Sequence, residues 1–297
     1  VGATGQNLLI QLRTRNLIRS IESDNETTRV ETYHDRIRES VVSHLDHETR
    51  RRYNHDFAET ILQRSGLSVE EIWRYIKSAP PFEEPIASFR LERSQWQRVF
   101  DLSHFFTAAG ESQKALPFAV IAAEQARKQN AFEVAEQQYR AALLGCDTAE
   151  PAVRFRILEG LADVLIVRGS YLAANEQLQA ARCMVTGKDT LARIDGKLGR
   201  SYFKKGDMGD AGVYLEKALT ALNERPPGNL PSLLLRLSKE GVRQLLHTFF
   251  PSRFVGRRSK STEQGQRDLF RVRLFDDLTM VYWFSRSMEM VLWSHLR

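Results

Sequence analysis

Cysteine is scarce. Cys146 and Cys183 are the only two, far apart and in helix-like surroundings. That excludes a disulfide framework and the paired spacing of a structural zinc site, and it fits a cytoplasmic location. No apolar run approaches the roughly 20 residues that span a bilayer, so no membrane partner is expected. The start, Val1-Gly2-Ala3-Thr4-Gly5-Gln6, has neither the basic region nor the apolar core of a signal peptide. It also lacks Met. At the other end, Trp293-Ser294-His295-Leu296-Arg297 closes an apolar-periodic segment with no Gly, Asn or Pro stop signal. Both ends read as cuts through a longer protein.

Catalytic signatures are missing too. There is no G-x-x-x-x-G-K-[ST], no kinase signature and no G-x-S-x-G. Gly187-Lys188-Asp189-Thr190 comes nearest to a phosphate loop, but it has no Gly-rich cradle and no Ser or Thr after the Lys. It reads as an inter-repeat turn. No catalytic residue is assigned, and the chain is not expected to be an enzyme. His44, His47 and His55 lie near Asp46 and Asp56, yet no Cys or second ligand pair supports them. A solvated face is expected there, with no metal and no cofactor bound by this chain.

Charge of one sign is not in large excess: 43 basic against 37 acidic residues give +6, dispersed along the chain. Arg50-Arg51-Arg52, the loop residues Arg253, Arg257, Arg258 and Lys260, and Arg13, Arg15 and Arg19 on one helix could meet phosphates. Apolar positions interrupt that helix, so nucleic acid is not the expected partner.

What is present is helix. Hydrophobic content of 42% supports a core over about two domains or one extended array. Gln6 to Ser20 reads as a helix with Leu8, Leu9, Leu12 and Leu17 on one face. Ser23-Asp24-Asn25-Glu26 is a turn cluster between Leu17-Ile18 and Val30-Glu31-Thr32-Tyr33, which predicts a small hairpin. Ile37, Val41 and Leu45 mark a second helix. Asp46 can cap a third bearing Tyr53, Phe57 and Ile61, and Gly66 ends it. Helix, hairpin and helix make residues 1–66 winged-helix-like.

Ser68-Val69-Glu70-Glu71 is a capping box that opens a short helix. Pro80, Pro81 and Pro85 then break the pattern, making 67–92 a short helix and linker. Residues 93–225 carry helical repeats, and 226–297 continue the arm with a basic loop at 251–265.

The repeats rest on identical offsets. Leu102-Ser103, Phe106, Gly110, Ala115, Ala119 and Ala122 form one set. Leu161-Ala162, Leu165, Gly169, Ala174, Leu178 and Ala181 form another. Leu198-Gly199, Tyr202, Gly206, Ala211, Leu215 and Ala218 form a third. Small residues let antiparallel helices approach, and Gly turns the chain at a helix end. Ala115, Ala122, Ala162, Ala174, Ala181, Gly199, Ala211 and Ala218 are the expected packing positions. Ala135-Tyr139-Ala142 gives an extra register, so one helix there serves two neighbouring pairs. The aromatics Trp73, Trp96, Phe105, Phe106 and Trp283, at helical spacing, are expected in the core.

This pattern resembles the tetratricopeptide repeat. It departs from it in a repeat-to-repeat spacing of 39 and 37, and in Asp195 at a position usually apolar. The expected fold class is therefore all-α, with a winged-helix-like start and one hairpin, followed by an α-solenoid of helix pairs.

Tyr33-His34-Asp35-Arg36-Ile37-Arg38-Glu39 is similar to the winged-helix motif of large bacterial signalling ATPases of the STAND type. Ser103-His104-Phe105 with Ala108-Ala109-Gly110 looks like the start of that family's repeats. Ala131-Phe132-Glu133-Val134-Ala135, Tyr139-Arg140-Ala141-Ala142-Leu143, Tyr282-Trp283-Phe284 and Leu292-Trp293-Ser294-His295-Leu296-Arg297 resemble its later segments. The resemblance implies a P-loop ATPase upstream that holds ATP or ADP with Mg. It also implies fusion to a Ser/Thr kinase, cyclase or histidine-kinase module. The partners implied are another protein or the parent's own ATPase and output domains. By the same resemblance His34 would contact the nucleotide phosphate and Asp35 would orient it. The residues alone allow a second role, in which His34 and Asp35 cap the helix that follows. Beyond the signalling arm, a stand-alone helical adaptor and a winged-helix DNA-binding regulator remain alternative functions.

Overall fold

Helix α1 (Ala3–Thr14) leads into a hairpin of β1 (Ile18–Ile21) and β2 (Arg29–Thr32), and the rest of the described chain is helical. The structure is a computed structural model describing residues 3–21, 29–78, 91–250, 262–285 and 288–297. After the hairpin come α2 (Asp35–His44), α3 (His47–Ser65) and α4 (Val69–Ser78). The stack then runs through α5 (Arg93–Ala108), α6 (Ser112–Lys128), α7 (Phe132–Leu144), α8 (Pro151–Val167), α9 (Tyr171–Arg182), α10 (Lys188–Lys205) and α11 (Met208–Ala221). It closes with α12 (Leu230–Phe249), α13 (Glu263–Ser285) and α14 (Met288–Leu296). The fold is all-α and solenoid-like, with one small antiparallel hairpin among the described residues.

The first helix is shorter than its apolar periodicity predicts. Asn16 adopts a left-handed φ of 53°, which stops α1, and the residues from Ile18 leave for the sheet. There Ile18 pairs with Thr32 and Arg19 with Glu31. β-Branched Ile18 suits a strand better than a helix end. The turn cluster at 23–26, the Pro-rich stretch 79–85 and the basic residues 253–260 lie outside the described residues. The loop expected to run to 265 ends earlier, because α13 is already helical at Glu263.

Local signals act where the chain needs them. Asp46 Oδ1 accepts the Thr49 N–H at 2.8 Å at the start of α3, and Gly66 ends that helix at φ 64°. At α4 the Ser68 hydroxyl accepts from Glu71 N at 3.2 Å.

Packing follows the repeated small residues. Ala115, Ala122, Ala162, Ala174, Ala181, Ala211 and Ala218 are all fully buried. At Gly199 an added Cβ would sit 2.6 Å from Leu215 Cγ, so α10 and α11 approach through the missing side chain. Gly110, Gly169 and Gly206 make their turns at positive φ. Asn130 takes that role between α6 and α7, at φ 59°. With it, Ala122, Ala126, Asn130, Ala135, Tyr139 and Ala142 repeat the offsets of the other pairs. Helix α6 accordingly packs against both α5 and α7.

Three large apolar side chains at helical spacing face outward, and one of them, Trp283, was expected in the core. Tyr53 and Phe57 are exposed: α3 meets α5 through Ala58 with Ile61 and Leu62 beside it, and Phe57 only sets its ring against Phe105 of α5, centroids 5.8 Å apart. Trp283 is exposed, whereas its neighbours Val281 and Tyr282 turn inward and Trp293 of α14 is buried. Of the other aromatics, Phe106 is buried, and Trp73, Trp96 and Phe105 are partly buried. Among the described residues no helix is long and apolar enough to cross a membrane.

Candidate functional site

His34 and Asp35 stand at the first turn of α2, at the surface. His34 is the N-cap residue, with extended φ −137° and ψ 143°, yet its side chain makes no capping hydrogen bond. Its ring instead lies edge-on to Tyr33, centroids 5.4 Å apart. Asp35, the first residue of the helix, faces Arg38 at 3.4 Å. Its charge suits a helix N-terminus. The imidazole is therefore presented outward with its donor uncommitted to the helix. A phosphate oxygen could accept from it, and Arg36 and Arg38 add positive charge nearby. Asp35 would repel that same phosphate unless it stays on Arg38. On their own these residues could form no more than one wall of a phosphate site.

The described residues around them enclose no interior. Among the described residues, none before Ala58 is buried. Leu8, Ile10, Val30, Tyr33 and Val41 are all exposed. Within this segment α1 touches β1 and β2 touches α2. Of the arginines considered for nucleic acid, Arg19 is paired with Glu31 across the hairpin. Arg51 is also engaged: its Nε donates to the Ala109 carbonyl at 2.9 Å.

The stack presents a different chemistry. Glu124 of α6 is 3% exposed and accepts Arg156 Nε at 2.6 Å and Nη2 at 2.9 Å. Arg156 also donates to the Ile76 carbonyl at 2.7 Å, so it holds the C-terminal end of α4. The Tyr75 hydroxyl donates to Glu124 at 3.1 Å. Burial, with the Glu124 charge next to it, pushes the Tyr75 hydroxyl up to about 12.

Beside this triad runs a ladder across α6, α8 and α10. Arg127 reaches Asp163 at 2.9 Å, Lys197 bridges Asp163 and Glu159 at 2.7 and 2.8 Å, and Arg193 reaches Glu159 at 3.1 Å. These residues were not singled out from the sequence. The available signal was a carboxylate on one helix and a cation about one repeat later. Asp195, the anomalous acid of the repeat pattern, is 1% exposed and receives Arg182 Nε at 2.6 Å. Three cations share two carboxylates in this ladder, and each cation is paired, so it binds helix to helix.

A second exposed apolar surface lies on α12, where Leu234, Leu235, Val242, Leu245 and Phe249 face outward. Leu233 turns inward, and Gln244 donates to the Leu296 carbonyl of α14 at 3.2 Å. No protein-family model matches this chain, and no curated protein does either.

Proposed function

We propose that this chain is the regulatory and interaction arm of a cytoplasmic, multidomain bacterial signalling ATPase, linked to a Ser/Thr kinase. The stack is the TPR-like sensor arm, and the helix–hairpin–helix start is the winged-helix segment that docks on a P-loop module outside this chain. Binding of a protein partner to the arm would shift the docked pose and so the nucleotide state of that module. ATP or ADP and Mg belong to the missing module, and the chain itself supplies His34 as a hydrogen-bond donor at the docking surface. The reading is carried by one observation: an outward-facing Tyr33-His34-Asp35 lies in a segment that buries none of its described side chains. Such a segment gains its order from a partner surface.

The test uses the full-length parent. Replacing His34 with Ala is expected to weaken ADP binding roughly ten- to hundredfold, the equivalent of one charge-assisted hydrogen bond of about 1.5–3 kcal/mol. Output activity should rise as the resting state loosens. Unchanged ADP affinity would sink the switch role. A second reading, a stand-alone adaptor, draws support from the exposed face of α12. A reading frame with no P-loop upstream of Val1 would favour it.

A further inference from the structure

Three metal-type donors used by nothing above meet where α3 faces the turn between α5 and α6. His55 and Glu59 lie one helical turn apart on α3, and Glu111 immediately precedes α6. Their donor atoms all lie within 4.8 Å of one another. His55 Nδ1 stands 2.9 Å from Glu111 Oε1. An ammonium sits between the carboxylates: Lys114 Nζ is 2.8 Å from Glu59 Oε1 and 3.1 Å from Glu111 Oε2.

Two carboxylates and an imidazole face one lysine ammonium, and the Arg51 guanidinium lies close by at Gly110 with its Nε on the Ala109 carbonyl. In addition, His55 Nδ1 and Glu111 Oε2 are shut off from solvent, and neither makes a well-aligned hydrogen bond. Lys114 marks what the place attracts. The lysine itself is half exposed on a flexible stem, so it can withdraw to solvent when a better cation arrives.

We propose that His55, Glu59 and Glu111 bind a divalent cation of the zinc class, which displaces the Lys114 ammonium and staples α3 to the α5–α6 turn. One imidazole and two carboxylates form a donor set that zinc accepts, with bonds of about 2.0–2.2 Å and a fourth position left for water. The two positive charges balance the two carboxylates without the lysine. The nitrogen donor selects against magnesium and calcium, which take oxygen ligands. Bonds of that length place tetrahedral donors about 3.3 Å apart, so the set closes by small side-chain rotations.

The experiment is calorimetric titration of zinc chloride into the chelator-treated chain at neutral pH. Parallel titrations use His55→Ala, Glu59→Gln and Lys114→Met, with helicity checked by circular dichroism. The expected result is one zinc per chain at micromolar affinity, weakened at least tenfold by His55→Ala and by Glu59→Gln. Lys114→Met should bind as tightly or tighter, because the competing ammonium is gone. Zinc should raise the Tm of the unaltered chain and leave that of His55→Ala unmoved. A silent unaltered chain overturns the proposal, whatever Lys114→Met does. So does binding that survives both ligand substitutions, since it would then belong to His44 and His47.

Discussion

The stack from α5 to α11 and the segment from α1 to α2 are made of the same kinds of residue, yet they hold together differently. Each has leucines at helical spacing and arginine–carboxylate pairs. In the stack the small side chains at fixed offsets let helices close on one another, and Ala162, Ala174 and Ala211 vanish from the surface. In the segment Leu8, Ile10 and Val41 have no second layer to close on. The ion pairs divide in the same way. Arg156 and Glu124 are 11% and 4% exposed, whereas Arg19 and Glu31 are 61% and 38% exposed. Amphipathic pattern alone makes a helix, and a repeated small residue opposite it makes a core.

The largest effect should come from the buried pair. Glu124→Gln leaves Arg156 charged, buried and facing a neutral amide, and should cost about 3–5 kcal/mol in chemical denaturation. Glu31→Gln in the hairpin removes a pair of the same chemistry and should cost less than about 0.5 kcal/mol. Equal losses would erase the distinction. Next come the packing positions. Ala174→Leu or Ala211→Leu should destabilise by about 1–3 kcal/mol through overpacking. Leu8→Ala should move thermal unfolding little, and a large loss there would reveal a core in the segment.

Smaller still is His34→Ala in this chain alone. The imidazole makes no capping bond, so stability should stay within about 0.5 kcal/mol. A loss near 1 kcal/mol would return His34 to the role of a helix cap. The smallest effect is in acid. The Thr49 backbone N–H holds the Asp46 carboxyl below its ordinary 3.8, with the Thr49 hydroxyl assisting. Its contribution is therefore complete above 3.8 and fades as pH falls through the lower folded value. Asp46→Asn should flatten that limb of the stability–pH curve below 3.8 while leaving neutral pH nearly unchanged. An unchanged acid limb would mean that the cap does not persist in solution.

Much of the stack was legible because its determinants are local and repeated. Gly110, Gly169 and Gly206 mark turns, and the alanines mark contacts at constant offsets. The doubling of α6 between α5 and α7 could be read from Ala135, Tyr139 and Ala142. Asn130 was missed because asparagine substitutes for glycine at positive φ without matching the repeat pattern. The charge ladder was not legible, since Asp163 and Lys197 meet only once α8 and α10 are stacked. Tyr53, Phe57 and Ile61 share a helical spacing, yet of the three only Ile61 packs on the core, beside Ala58. For His34 and Asp35 the sequence marked the position, and the geometry adds that His34 makes no capping bond.

The central claim is that a self-sufficient stack carries a segment whose order depends on a partner. Hydrogen exchange of the chain, read by mass spectrometry peptide by peptide, tests it directly. Amides of α6, α8 and α10 should exchange only through global unfolding, while those of α1, β1, β2 and α2 should exchange many orders of magnitude faster through local opening. Protection of the hairpin and α2 at the level of α8 would contradict the account, because it would require an interior that this segment does not bury.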